Sequence, residues 1–149
     1  IQLGHLAGAE VTAIASKDNS DFMKSLGATT TLDYRTEDFR SLAAKYDVIL
    51  DTVGDLGLKD YRPHLNVGGR LAHVAAPMID VLRSTFQSSV FAGPIFGNRN
   101  ILKSLLANLE SGKLQVPIDR TYPLEDVRSA LEYVSRRHRK GNVVLKMTT

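Results

Sequence analysis

"YDVILDTVGDLGLKDYRPHLNVGGRLAHVAAP", running from Tyr46 to Pro77, is the stretch on which the fold turns. Within it "DVILDTV" carries apolar residues on both faces, the pattern of a strand covered by helices on each side, as parallel sheets require. That strand ends at Asp51 and turns at Gly54. "LGLKDYRPHL" then reads as a helix, and "GGRLAHVAA" as a second strand, entered by a turn at Gly68 and Gly69 and delivering small residues, Ala75 and Ala76, to its end. Strand, helix and strand in this order predict a parallel pair with a helical crossover.

The same alternation extends outward. Toward the N-terminus it runs through "VTAIA", "NSDFMKSL", "TTTLD" and "TEDFRSLAAK", read as strand, helix, strand and helix, after a short helix that Gly8 closes. Toward the C-terminus come an edge-strand candidate "TFQSSVFAG" and a helix "NRNILKSLLANLESG", with Asn98 or Asn100 as its cap and Gly112 at its end. A short strand "LQVPID", an amphipathic helix "PLEDVRSALEYVSRR" with Pro123 in its first turn, and a strand "NVVLKM" complete the chain. The expectation is a doubly wound, Rossmann-like α/β parallel sheet. Right-handed crossovers would set the carboxyl ends of its strands along one edge, where such folds bind ligands.

Composition narrows the function. The chain has 149 residues, 43% of them hydrophobic and 23% charged, which suits one cored domain. Nineteen basic against 16 acidic residues leave a net charge of +3, too small an excess to demand nucleic acid. There is no cysteine, so disulfides and Cys-ligated zinc are excluded, and the apolar runs fall short of the ~20 residues of a membrane helix. A cytoplasmic protein without a membrane partner is the expectation. His5, His64, His73 and His138 show no metal-ligand spacing, and no G-x-S-x-G nucleophile elbow occurs. Metal binding and hydrolase chemistry are disfavoured. The run "RRHRKG" closes a helix and suits its dipole and solvent better than a nucleic acid.

The candidate site residues follow the strands. Ser16 and Lys17 come where "VTAIA" ends, the position that meets the adenosine ribose in dinucleotide folds. An acidic residue there selects NAD. A hydroxyl and an ammonium suit a phosphate dianion and point to NADPH, although Asp18 follows and keeps NADH open. The alternative is that Ser16 or Asn19 caps the next helix and Lys17 is solvated. After the next strand Tyr34 is placed to lie beside an adenine or donate to a phosphate, or simply to pack. Ala75 and Ala76 would let a flat ring lie against the backbone, or they mark a crowded core.

"GAEVTAIASKDNSDFMKSLGATTTLDYRTED", "YDVILDTVG", "GGRLAHVAAP" and "LESGKLQVPIDRTYPLEDVRSALEYVSRRHRKGNVVLKM", in this order, resemble the medium-chain dehydrogenase/reductases, in their zinc-independent quinone oxidoreductase-like branch. The resemblance implies an NADPH-dependent reductase that passes hydride to a quinone or an α,β-unsaturated carbonyl. Carried over by position, Ser16, Lys17 and Tyr34 would surround the 2′-phosphate and adenosine. Thr52, Val53 and Gly54 and the stretch Val74, Ala75, Ala76 and Pro77 would line the ribose and nicotinamide, and Arg137 would also reach the 2′-phosphate. No catalytic residue is assigned. Asn142 stands where the family commonly has lysine in a "GKVVL" ending, against a cofactor contact there.

The family also carries, ahead of the segment matching Ile1, a substrate domain, a first strand and a glycine-rich turn that holds the pyrophosphate. The expectation is therefore a sheet incomplete at its N-terminus, with a truncated dinucleotide-binding domain over residues 1–112 and, over 113–149, a segment that would pack on the substrate domain. In the order 3-2-1-4-5-6 the absent strand separates the second from the fourth. Those two would pair directly, or a partner would supply the strand, and the chain alone would be inactive. A homodimer through the edge near Phe86 to Ala92 is expected, since an unpaired edge invites a second copy. Two other readings remain: a non-catalytic protein- or RNA-binding module, and a SAM-dependent methyltransferase core, which would want an acid where Ser16 and Lys17 stand.

Overall fold

The computed structural model describes residues 1–74, 90–92, 98–136 and 140–147. The expected site residues Ala75, Ala76, Pro77 and Arg137, and residues 86–89 of the expected edge strand, lie outside them. The chain divides into two compact units, residues 1–36 with 99–149, and residues 37–98.

In the first unit α1 (Gln2–Leu6) closes through Gly8, whose φ of 77° is the left-handed conformation that ends a helix. β1 (Thr12–Ala15), α2 (Ser20–Ser25) and β2 (Thr30–Asp33) form a βαβ crossover, with the strands parallel from Thr12 opposite Thr30 to Ala15 opposite Asp33. The hydroxyls of Ser20 and Thr31, 2.6 Å apart, tie the start of α2 to β2. Between them Gly27 has φ 98°, and a Cβ there would stand 2.6 Å from the ring of His5. Only glycine lets α1 approach this turn so closely.

The second part of that unit begins with α4 (Arg99–Glu110), which ends where the Gly112 amide donates to the Leu109 carbonyl. β6 (Ile118–Pro123), α5 (Val127–Ser135) and β7 (Asn142–Lys146) form another parallel crossover. The strand expected at "LQVPID" starts later, at Ile118, because Pro117 has no amide to give a ladder. Its carbonyl instead receives the Asn142 amide at 2.8 Å. Pro123 closes β6 in extended conformation rather than opening the helix, which starts as a 3-10 turn at Leu124–Asp126. The Tyr133 hydroxyl donates to Asp119 Oδ2 at 2.6 Å and fastens α5 to β6.

The second unit holds β3 (Tyr46–Asp51), α3 (Leu58–Tyr61), β4 (Leu65–His73) and β5 (Val90–Ala92), its three strands parallel in the order β3-β4-β5. The helix expected over "TEDFRSLAAK" is a single 3-10 turn, Phe39–Ser41. Asp38 explains the difference: its carboxylate accepts from the Arg40 amide and grips the guanidinium at 2.8 Å, and at Leu42 the chain is already extended. β4 begins before the paired glycines, which form a bulge inside the strand and not a turn ahead of it. Gly68, at φ 80°, absorbs the shift between the Tyr46–Leu65 and Val48–Arg70 pairs.

The core of this unit is Leu58, Tyr61 and Leu71, with Phe39, Ile49, Leu56 and Leu65 packed on it. Cover on both faces of β3 was expected, and among the described residues it is found on one: Ile49 meets the core, whereas Val48 and Leu50 are exposed. Within each unit the ladders, β1 with β2 and β3-β4-β5, keep neighbours that the order 3-2-1-4-5-6 also makes adjacent. β1 and β3 belong to separate ladders, so the direct pairing of the second and fourth strands, one of the two expected outcomes, is not formed.

Candidate functional site

Two clusters of expected site residues stand at carboxyl ends of parallel strands, one in each unit. In the first, β1 runs out at Ala15, and Ser16 turns the chain into a 3-10 turn, Lys17–Asn19, with the Asn19 amide donating to the Ser16 carbonyl at 2.8 Å. Neither the Ser16 nor the Asn19 side chain caps a helix. The capping role open to them in the sequence is therefore not taken. The Tyr34 amide donates to the Ala15 carbonyl at 3.3 Å, which carries the ladder one residue beyond β2 and sets Tyr34 beside the β1 exit. Its ring is exposed, as is Lys17.

Arg35 was not singled out in the sequence and belongs to this cluster. Its guanidinium carbon lies 5.8 Å from the centre of the Tyr34 ring, and Nη1 lies 3.6 Å from Asp18 Oδ2. Its amide donates to Asp33 Oδ1 at 3.1 Å. A hydrogen bond with Tyr34, and then the charges around it, raise its already high pKa. The edge thus offers two cations, a serine hydroxyl and an aromatic face, with the carboxylates of Asp18 and Asp33 among them. Such a set fits a phosphorylated ribose and an adenine.

The second cluster closes β3. Asp51 is buried, and its Oδ1 accepts from the amides of Val53 at 2.8 Å and Gly54 at 3.1 Å. This fixes the turn in which Thr52 and Val53 are exposed and Gly54 takes φ 84°. The Val74 amide donates to the Asp51 carbonyl at 2.9 Å, so Val74 lies beside the same turn at the end of β4. The structure therefore brings Thr52, Val53, Gly54 and Val74 together in one unit, as it does Ser16, Lys17 and Tyr34 in the other.

Behind the turn, His73 is fully buried, with Nε2 at 2.8 Å from Asp51 Oδ2. The two atoms lie close without hydrogen-bond alignment. The Tyr61 ring meets His73 edge-on at 5.9 Å. Burial pushes the Asp51 carboxyl up, but the two turn amides, the Tyr61 hydroxyl and His73 together hold it below the usual carboxylate range. Burial and then Asp51 push the Tyr61 phenol up. Asp51 was read from the sequence as a strand end only. An acid closing an apolar strand three residues before a glycine was the legible hint, whereas His73 gave none. Among the described residues no group of three His, Cys, Asp or Glu is placed to hold a metal ion, and no helix is long and apolar enough to cross a membrane.

Comparison with known proteins adds to this geometry. Residues 26–145 match the protein family described as zinc-binding dehydrogenase. The chain is 31% identical over 151 residues to an NADPH-dependent alkenal/one oxidoreductase of Arabidopsis thaliana, and 34% identical over 149 residues to a 2-methylene-furan-3-one reductase of Solanum lycopersicum. In both cases 97% of this chain is covered, and it spans 36% of the relative's length. Its structure is similar to that of the quinone oxidoreductase from Coxiella burnetii, with a TM-score of 0.83 at 29% identity, covering 99% of this chain and 48% of that one.

Proposed function

The chain belongs to the zinc-binding dehydrogenase family, among the medium-chain dehydrogenase/reductases, and from that premise we propose that it is the cofactor-binding part of an NADPH-dependent oxidoreductase. The reaction proposed is hydride transfer to a quinone or an α,β-unsaturated carbonyl, in keeping with what the names of its relatives state of them. The observation that carries the cofactor reading is the juxtaposition of Ser16 and Lys17 with Tyr34 at one strand edge, with the capping role of Ser16 unfilled.

In this reading the reduced nicotinamide supplies the hydride. Ser16, Lys17 and Tyr34 hold the adenosine end with its 2′-phosphate, joined by Arg137. The turn Thr52, Val53 and Gly54 and the stretch Val74, Ala75, Ala76 and Pro77 lie along the ribose and nicotinamide. Asp51 holds that turn rigid from within. The branch proposed is the zinc-independent, quinone oxidoreductase-like one. Residues 1–112 are taken as the dinucleotide-binding domain and 113–149 as a segment packing on a substrate domain. The cytoplasm is the proposed compartment, and a homodimer through the β5 edge the proposed assembly.

Titration of the chain with NADPH and NADH, read by cofactor fluorescence, tests the reading. NADPH is expected to bind the tighter, and Lys17→Ala to cut its affinity by roughly tenfold while changing that of NADH little. Equal affinities, or a preference for NADH, would reassign the cofactor.

A further inference from the structure

The first cluster contains a contradiction. Asp18 stands one residue beyond the Ser16–Lys17 tip, where a carboxylate accepts from a ribose 2′-hydroxyl and repels a 2′-phosphate. Ser16 and Lys17 favour the phosphate. Which side prevails depends on what neutralises Asp18, and the structure supplies that group in Arg35, with Nη1 at 3.6 Å from Asp18 Oδ2.

We propose that Arg35 is the residue that decides between the two nucleotides, cancelling the charge of Asp18 with one edge of its guanidinium and taking the ribose 2′-phosphate with the other. This rests on the reading that the β1–β2 edge holds the adenosine end of the cofactor. A guanidinium has five N–H donors in a planar fork, so one contact with Asp18 leaves donors for a phosphate. Its position is built on both sides. The Arg35 backbone is held by Asp33 at 3.1 Å, and the guanidinium lies near the ring of Tyr34, 5.8 Å from its centre.

The side chains of Arg35 and Asp18 are 46% and 77% exposed, so a nucleotide reaches them without any rearrangement of the core. An ion pair this exposed adds little to folding. Its consequence lies in charge: with Arg35 in place, Lys17 and Arg35 balance Asp18 and Asp33, and without it the edge carries one net negative charge, which repels a phosphate.

The test uses adenosine 2′-monophosphate and adenosine 5′-monophosphate, isomers that differ only in where the phosphate sits and that need no pyrophosphate or nicotinamide contact. Binding to the 149-residue chain is followed by NMR shift titration, which also shows that each variant is folded. The chain is expected to prefer the 2′ isomer. Arg35→Met should weaken that isomer by roughly fivefold or more and the 5′ isomer by less than about twofold. Adding Asp18→Asn to Arg35→Met should restore part of the loss, since it removes the repulsion that Arg35 had cancelled. A preference that survives Arg35→Met overturns the role of Arg35 and leaves the cofactor reading standing. A folded chain that binds neither isomer removes the site, and the proposal with it.

Discussion

Asp51 is the residue on which most of the second cluster rests. It accepts from two backbone amides on one oxygen and faces a buried histidine with the other. Asp51→Ala strands two amides, and the expected loss is about 2 to 3 kcal/mol in denaturant unfolding. Asp51→Asn keeps an acceptor for the turn and should cost less. The pH dependence follows from the direction of the shift. With the folded pKa below the unfolded value of about 3.9, the stabilisation is complete above that value and is lost as pH falls through the folded one. Thermal melts from pH 6 down to acid should show a steeper loss in the native chain than in Asp51→Asn, because Asp38 and Asp119, also held below the usual carboxylate range, titrate in both. Tyr61, whose phenol is raised, should contribute at the other extreme, losing its stabilisation as pH climbs above its unfolded value of about 10.

Elements were legible where periodicity and terminators agreed. The alternation of strands and helices and the glycines closing α1 and α4 follow from patterns of apolar residues and turn chemistry, whereas the strand order came from the family resemblance. The errors fall where a local hydrogen bond or a missing amide overrode the pattern, as with the Asp38–Arg40 clamp that stops a helix after one turn and Pro117 that delays β6. The glycines of β4 misled in another way, since a bulge and a turn use the same left-handed residue. Packing across the sheet was hidden as well. Val48 and Leu50 look like core residues in sequence and are exposed, while Leu71 is 1% exposed. Leu71→Ala should therefore cost about 2 to 5 kcal/mol and Val48→Ser about 0.5 kcal/mol or less, a contrast that paired urea melts would measure.

For the whole molecule, the candidate site was legible in its strand-end loops and not in its supports. Ser16, Lys17, Tyr34 and the Thr52–Gly54 turn could be picked out because ligands gather where parallel strands end. Arg35 and His73 could not, because their importance comes from partners distant in sequence or set by a turn. The chain spans 36% of the length of two relatives and 48% of a structural neighbour, which bounds what it should do alone. The 149-residue chain is expected to bind the nucleotide weakly and to show no NADPH consumption with a quinone, followed by absorbance. Sustained turnover would mean that these residues contain the whole catalytic apparatus.

The division of the chain has one last consequence. The residues assigned to the adenosine end, from Ser16 to Arg35, fall in one compact unit, and those assigned to the nicotinamide end, from Thr52 to Val74, in the other. If the proposed assignment holds, mutations that retune which currency of reducing power is drawn upon, anabolic or catabolic, would fall in a different packing environment from those that touch the reacting ring. On the proposed assignment, substitutions in the loops after β1 and β2 would change the metabolic pool drawn upon while leaving the packing of Asp51 and His73, in the other unit, untouched.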